Sequence, residues 1–86
     1  MKHADAAALD KLDDLLQQLR TLEVLRERSR GVFYCKSKPF LHFHDDPTGL
    51  YADLRAGADF ERFQVNSAAQ RKALMLAVKG QLAPSA

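Results

Sequence analysis

Leu9, Leu12, Leu16 and Leu19 recur with three-four-three spacing, and Asp10, Lys11, Asp13, Asp14, Gln17 and Gln18 lie between them. That period puts the leucines on one face of an amphipathic helix. Leu15 and Leu22 widen the stripe, Asp5 is placed to cap its start, and Asp10, Asp13 and Asp14 lie toward the positive end of the helix dipole. Residues 21–29 fit two readings, a continuation of the helix or a turn followed by a short crossing segment.

Gly31 ends the helical period, and β-branched, aromatic and alternating residues follow with turn signals at short intervals. The pattern predicts four strands, near 32–36, 40–44, 50–55 and 60–65. Turns are expected at Ser37-Lys38, at Asp45-Asp46-Pro47-Thr48-Gly49 and at Ala56-Gly57-Ala58-Asp59. Keeping apolar side chains together sets a register of His44 opposite Gly49, Phe43 opposite Leu50 and Leu41 opposite Ala52. His42 then faces Tyr51, and Phe40 faces Asp53, on the other side of the sheet. The same rule pairs Val32 with Phe43 and Tyr34 with Leu41, both inward, and sends Phe33 and Cys35 outward. Phe63 and Val65 are expected inward, with a bulge near Phe60.

Ser67-Ala68-Ala69-Gln70 has the form of a capping box and opens a last helix. Its apolar stripe is Leu74, Met75, Val78 and Leu82, with an end expected at Gly80 and a frayed tail over 83–86. The predicted fold is a single α+β domain spanning residues 1–86: N-terminal helix, four-stranded antiparallel meander and C-terminal helix, both helices on one sheet face.

Composition narrows the classes. A chain of 86 residues has room for one modest core, which excludes a large multi-substrate enzyme. No apolar run is long enough to span a membrane, and the polar start Met1-Lys2-His3-Ala4-Asp5 does not read as a signal peptide, so a cytoplasmic protein is expected. Cys35 is the single cysteine and excludes an internal disulfide or a multi-thiolate zinc site. The net charge of +2 hides a polar division. Arg20, Arg26, Arg28, Arg30, Lys36 and Lys38 outweigh Glu23 and Glu27 in one segment, and Asp45, Asp46, Asp53, Asp59 and Glu61 outweigh Arg55 in the next. Such a dipolar chain suits self-pairing better than nucleic acid, whose dedicated binders are more basic overall.

The candidate chemistry centres on His42-Phe43-His44-Asp45-Asp46. Strand alternation puts His42 and His44 on one face about 7 Å apart, from a rise of roughly 3.3 Å per residue. Two imidazoles with a nearby carboxylate are a donor set for a divalent metal, with Tyr51, Asp53 and Arg55 as neighbours and Arg55 able to hold an anionic group. The competing reading makes both histidines structural, bonded to Tyr51 or to the turn acids. Asp45 and Asp46 read as turn formers rather than an acid-base pair. Arg26, Arg28, Arg30, Lys36 and Lys38, beside Phe33 and Tyr34, are the residues through which weak binding of nucleic acid would run. No serine elbow, phosphate loop or dinucleotide fingerprint is present, and no cofactor is indicated.

The string Phe40-Leu41-His42-Phe43-His44-x-Asp46-Pro47-x-Gly49-Leu50 resembles a group of small bacterial α+β proteins without an assigned activity. More distantly, the order of helix, Gly-led strand and Lys-x-x-Phe strand is similar to the MmcQ/YjbR and TfoX N-terminal groups. DNA binding has been suggested for those on structural grounds. Together these readings lead to the expectation of a non-enzymatic interaction module, a homodimer using an outer-face aromatic patch of Phe33, Phe40 and Tyr51. Ligand binding at His42 and His44 is the first alternative, and nucleic-acid binding the second.

Overall fold

A computed structural model describes residues 2–83. It is an α+β structure: β1 (Lys2–His3), α1 (Ala6–Lys11), α2 (Asp13–Arg20), β2 (Leu25–Ser29), β3 (Val32–Cys35), β4 (Lys38–Asp46), β5 (Gly49–Ala56), β6 (Asp59–Gln64) and α3 (Ala68–Leu82). The antiparallel sheet is open, ordered β2-β3-β4-β5-β6, with β1 added beside β4. No helix among the described residues is long and apolar enough to cross a membrane.

Asp5 caps α1 as its side chain suggests, its Oδ1 accepting from the Ala8 amide at 3.0 Å. The predicted single N-terminal helix is divided at Leu12, whose amide bonds back to the Leu9 carbonyl at 3.0 Å in a tighter turn. Leu12 nevertheless joins Leu9, Leu15, Leu16 and Leu19 in the core, so the leucine stripe survives the break. After Arg20 the chain turns, with the Thr21 hydroxyl on the Gln18 carbonyl at 2.6 Å, and the crossing-segment reading of 21–29 is the one realised. That segment is β2, a strand the sequence pattern did not predict because Leu25-Arg26-Glu27-Arg28-Ser29 is mostly charged.

Four tight hairpins join the five long strands, each closed around two residues: Arg30-Gly31, Lys36-Ser37, Pro47-Thr48 and Gly57-Ala58. Gly31 sits at φ +79°, and a Cβ there would stand 2.6 Å from Leu9 Cδ2, so both backbone and packing require glycine. The tightness of the Pro47-Thr48 turn corrects the expected register. Asp46 pairs with Gly49, His44 with Tyr51, His42 with Asp53 and Leu41 with Leu54, two residues from the predicted pairing. A shift of two keeps Leu41 to His44 of β4, and the β5 residues opposite them, on their predicted faces.

Strand β3 corrects the prediction more deeply. Phe33 pairs with Leu41 and Tyr34 with Pro39, which leaves Phe40 as an extra residue on β4 and turns Phe33 inward. Phe33 and Phe40 are buried core residues, so the expected outer patch of Phe33, Phe40 and Tyr51 does not form. Cys35, expected opposite Phe40, pairs with Lys38 and Leu25 and packs against the core. The β5–β6 ladder runs without the bulge expected at Phe60, which faces outward while Phe63 packs inward.

The capping box at α3 is present in full, with Ser67 and Gln70 exchanging backbone bonds. Leu74, Met75 and Val78 are buried beneath it, and the helix continues through Gly80 to Leu82. Ala83 is its C-cap, and residues 84–86 of the expected frayed tail lie outside the described residues.

Candidate functional site

Strand alternation puts His42 and His44 on the face of β4 away from the buried Leu41 and Phe43. The β4–β5 register sets Asp53 directly opposite His42. The β5–β6 register sets Arg62 opposite Asp53. A carboxylate thus stands between two histidines and an arginine. Among the described residues, Asp53 is the sole charged one at a buried position, 7% exposed.

The geometry is close. His44 Nε2 lies 3.1 Å from Asp53 Oδ2, and His42 Nε2 lies 3.6 Å from the same oxygen. Arg62 grips the carboxylate with both arms, Nε to Oδ1 at 2.8 Å and Nη2 to Oδ2 at 2.9 Å. One ligand atom from each of His42, His44 and Asp53 falls within 4.8 Å of the others. No other trio of His, Cys, Asp or Glu among the described residues is as compact.

Charge and burial set the protonation states. The Arg62 guanidinium holds the Asp53 carboxyl below the usual carboxylate range, and the carboxylate raises Arg62 in turn. Burial, followed by the neighbouring His44, lowers His42, which favours the neutral imidazole. His44 Nδ1 is buried and has no hydrogen-bond partner.

The structural alternative for the pair does not take its expected form. The Tyr51 hydroxyl is engaged with Thr48 Oγ1 at 2.7 Å. Asp46 Oδ2 accepts from the amide and hydroxyl of Thr48, which lowers the Asp46 carboxyl. Arg55 is also held elsewhere, with Nε on the Pro39 carbonyl at 2.6 Å and its guanidinium over the Phe60 ring. Of the five sequence candidates, the structure brings together His42, His44 and Asp53.

Two participants were missed as site residues. Arg62 reaches the site from β6, where it pairs with Asp53. His3 arrives through β1, where it pairs with His44. Its ring centroid is 5.0 Å from that of His44 and 6.0 Å from that of His42. The one sequence signal for it is that all three histidines of the chain meet here.

The basic residues divide. Arg26, Arg28 and Lys36 line an open groove of about 490 Å³ with Tyr34, whose ring lies 4.3 Å from the Arg28 guanidinium carbon. Arg30 is tied to Asp10 at 2.8 Å, and neither it nor Lys38 lines that groove. Comparison of the chain with family models, curated proteins and solved structures finds no match.

Proposed function

We propose that the outer sheet face binds one divalent transition-metal ion through His42, His44 and Asp53, making this chain a small metal-binding domain. The observation that carries the reading is the compact trio of ligand atoms. Two ligands at about 2.1 Å from a shared ion, subtending 90–110°, stand roughly 3.0–3.4 Å apart. The two nitrogen-to-oxygen separations, 3.1 and 3.6 Å, are close to that requirement. Two imidazoles and a carboxylate suit zinc, iron, cobalt or nickel better than calcium or magnesium, and they leave coordination positions for water or a small anion.

The lowered His42 supports the reading, since a ligating imidazole must be neutral. Arg62 fits as the group that orients the carboxylate, because ligating carboxylates are commonly hydrogen-bonded in turn. Its side chain is half exposed, free to yield the Oδ2 contact and retain Oδ1. A site for an anion alone is disfavoured by the Asp53 charge at its centre. The self-association reading loses its aromatic argument with Phe33 and Phe40 in the core.

Titration with zinc, nickel or manganese, followed through the histidine resonances, tests the proposal. His42 and His44 are expected to shift, and the thermal midpoint to rise with ion concentration, by the equivalent of about 2.7 kcal/mol at a hundredfold excess over Kd. Silence at both histidines with every ion sinks it.

A further inference from the structure

The first strand is short for the place it occupies. β1 consists of Lys2 and His3, both exposed, and is held by its ladder to Asp45 and His44 and by the Ala4 amide on the Phe43 carbonyl at 3.1 Å. Elements with so few buried contacts open at low free-energy cost. Yet the register delivers the remaining histidine of the chain to the ring cluster, beside His44.

We infer that His3, whose ring stands beside the trio but outside its 4.8 Å compass, moves in as a third imidazole ligand when the ion binds and that ion binding thereby latches β1 onto the sheet. The inference rests on the His42–His44–Asp53 metal reading and adds a consequence to it. Three imidazoles and a carboxylate complete a four-ligand set of nitrogen and oxygen donors, which is the coordination number of closed zinc sites. His3 and the trio belong to segments far apart in sequence, so a shared ion crosslinks the start of the chain to the middle of the sheet. Linkage makes the effect reciprocal: an ion that binds the docked strand more tightly must also hold it docked. Among the described residues, β1 is held without the ion by its ladder to β4, the Ala4 bond and ring contacts. With it, the strand gains a coordination bond.

The Ala4 amide, bonded to the Phe43 carbonyl next to the β1–β4 ladder, is the reporter of the latch. Amide exchange is measured on the untagged full chain with and without zinc, alongside zinc titrations of His3→Ala and His3→Phe. Zinc is expected to slow Ala4 exchange by about tenfold or more in the native chain, and both variants to bind zinc at least about tenfold more weakly and lose that slowing. His3→Phe keeps an aromatic ring against His44 while removing the nitrogens, so it separates coordination from ring packing. Unchanged zinc affinity in both variants overturns the latch and leaves the trio standing. Zinc-dependent slowing retained in His3→Phe also overturns it. A native chain that binds no zinc, nickel or manganese takes down the metal reading and the latch together.

Discussion

The two faces of the sheet each carry a carboxylate gripped by an arginine, and the two pairs differ in what completes them. On the inner side, Arg20 of α2 reaches Glu27 of β2 through Nε at 2.6 Å and Nη2 at 3.0 Å. The Gly31 amide adds a third bond to the same carboxylate at 2.9 Å. Helix, strand and turn are thereby tied together, and Arg20 holds the Glu27 carboxyl below its usual range. On the outer side, Arg62 grips Asp53 with nearly the same geometry, but two histidines occupy the place of the backbone donor. A lowered carboxyl is therefore no guide to function by itself. A carboxylate completed by the backbone is a structural tie, and one completed by two imidazoles whose ligand atoms converge on it is a candidate site.

The largest expected effect tests the division of the faces. Phe33, 1% exposed, is expected to cost about 3–5 kcal/mol on Phe33→Ala, through lost burial and the cavity left behind. Its neighbour Tyr34 lies on the outer face beneath Arg28, where Tyr34→Ala is expected to cost under about 1 kcal/mol. Urea denaturation of the two variants measures both. Equal losses would mean that β3 does not present Phe33 to the core and Tyr34 to the surface.

That contrast also shows where sequence reasoning reached and where it stopped. Leucine spacing and the Ser67–Gln70 capping box located the helical regions because both signals are local. His42 and His44 were placed on one outer face because alternation survives a two-residue register shift. β3 was inverted because Val32-Phe33-Tyr34-Cys35 is apolar at every position, so alternation had nothing to choose between. The choice is made by the extra residue at Phe40, a pairing irregularity that no local pattern announces. Asp53 was expected near the histidines but opposite Phe40, and two residues of hairpin length decide that it faces His42 instead. His3 lies outside any strand signal, since β1 is formed by pairing rather than by propensity.

The next effect sharpens the comparison of the pairs themselves. Asp53→Asn removes the ligand charge while keeping its shape, and is expected to weaken zinc binding by about a hundredfold, the upper range for changes within a metal site. Glu27→Gln is the matched change on the inner face. It is expected to leave zinc affinity where it was, since Glu27 touches Arg20 and Gly31 and no histidine. Calorimetric titration of both variants decides the matter. Equal weakening by the two would dissolve the distinction between tie and site, and no weakening by Asp53→Asn would remove the carboxylate from the ligand set.

The smallest effect concerns acid stability and singles out Glu27. Arg20 holds the folded carboxyl below the ordinary value of 4.5, so the folded chain binds this proton less readily than the unfolded chain does. The stabilisation is therefore fully present above about pH 4.5 and is lost as the pH falls through the lowered folded value. At neutral pH, Glu27→Gln is expected to cost about 1 kcal/mol, a modest figure because water reaches the rim of this pair and screens it. The gap in stability between the native chain and Glu27→Gln should hold steady from pH 7 to about pH 5 and close below that. For Asp53 the ordinary value is 3.8, so the matching loss begins at lower pH and the two windows are resolved in order. Urea midpoints measured at successive pH values, without added metal, follow both. A Glu27→Gln gap that persisted undiminished to pH 3 would show that the carboxylate's charge does not hold α2 to β2, leaving shape and neutral hydrogen bonds to make the tie.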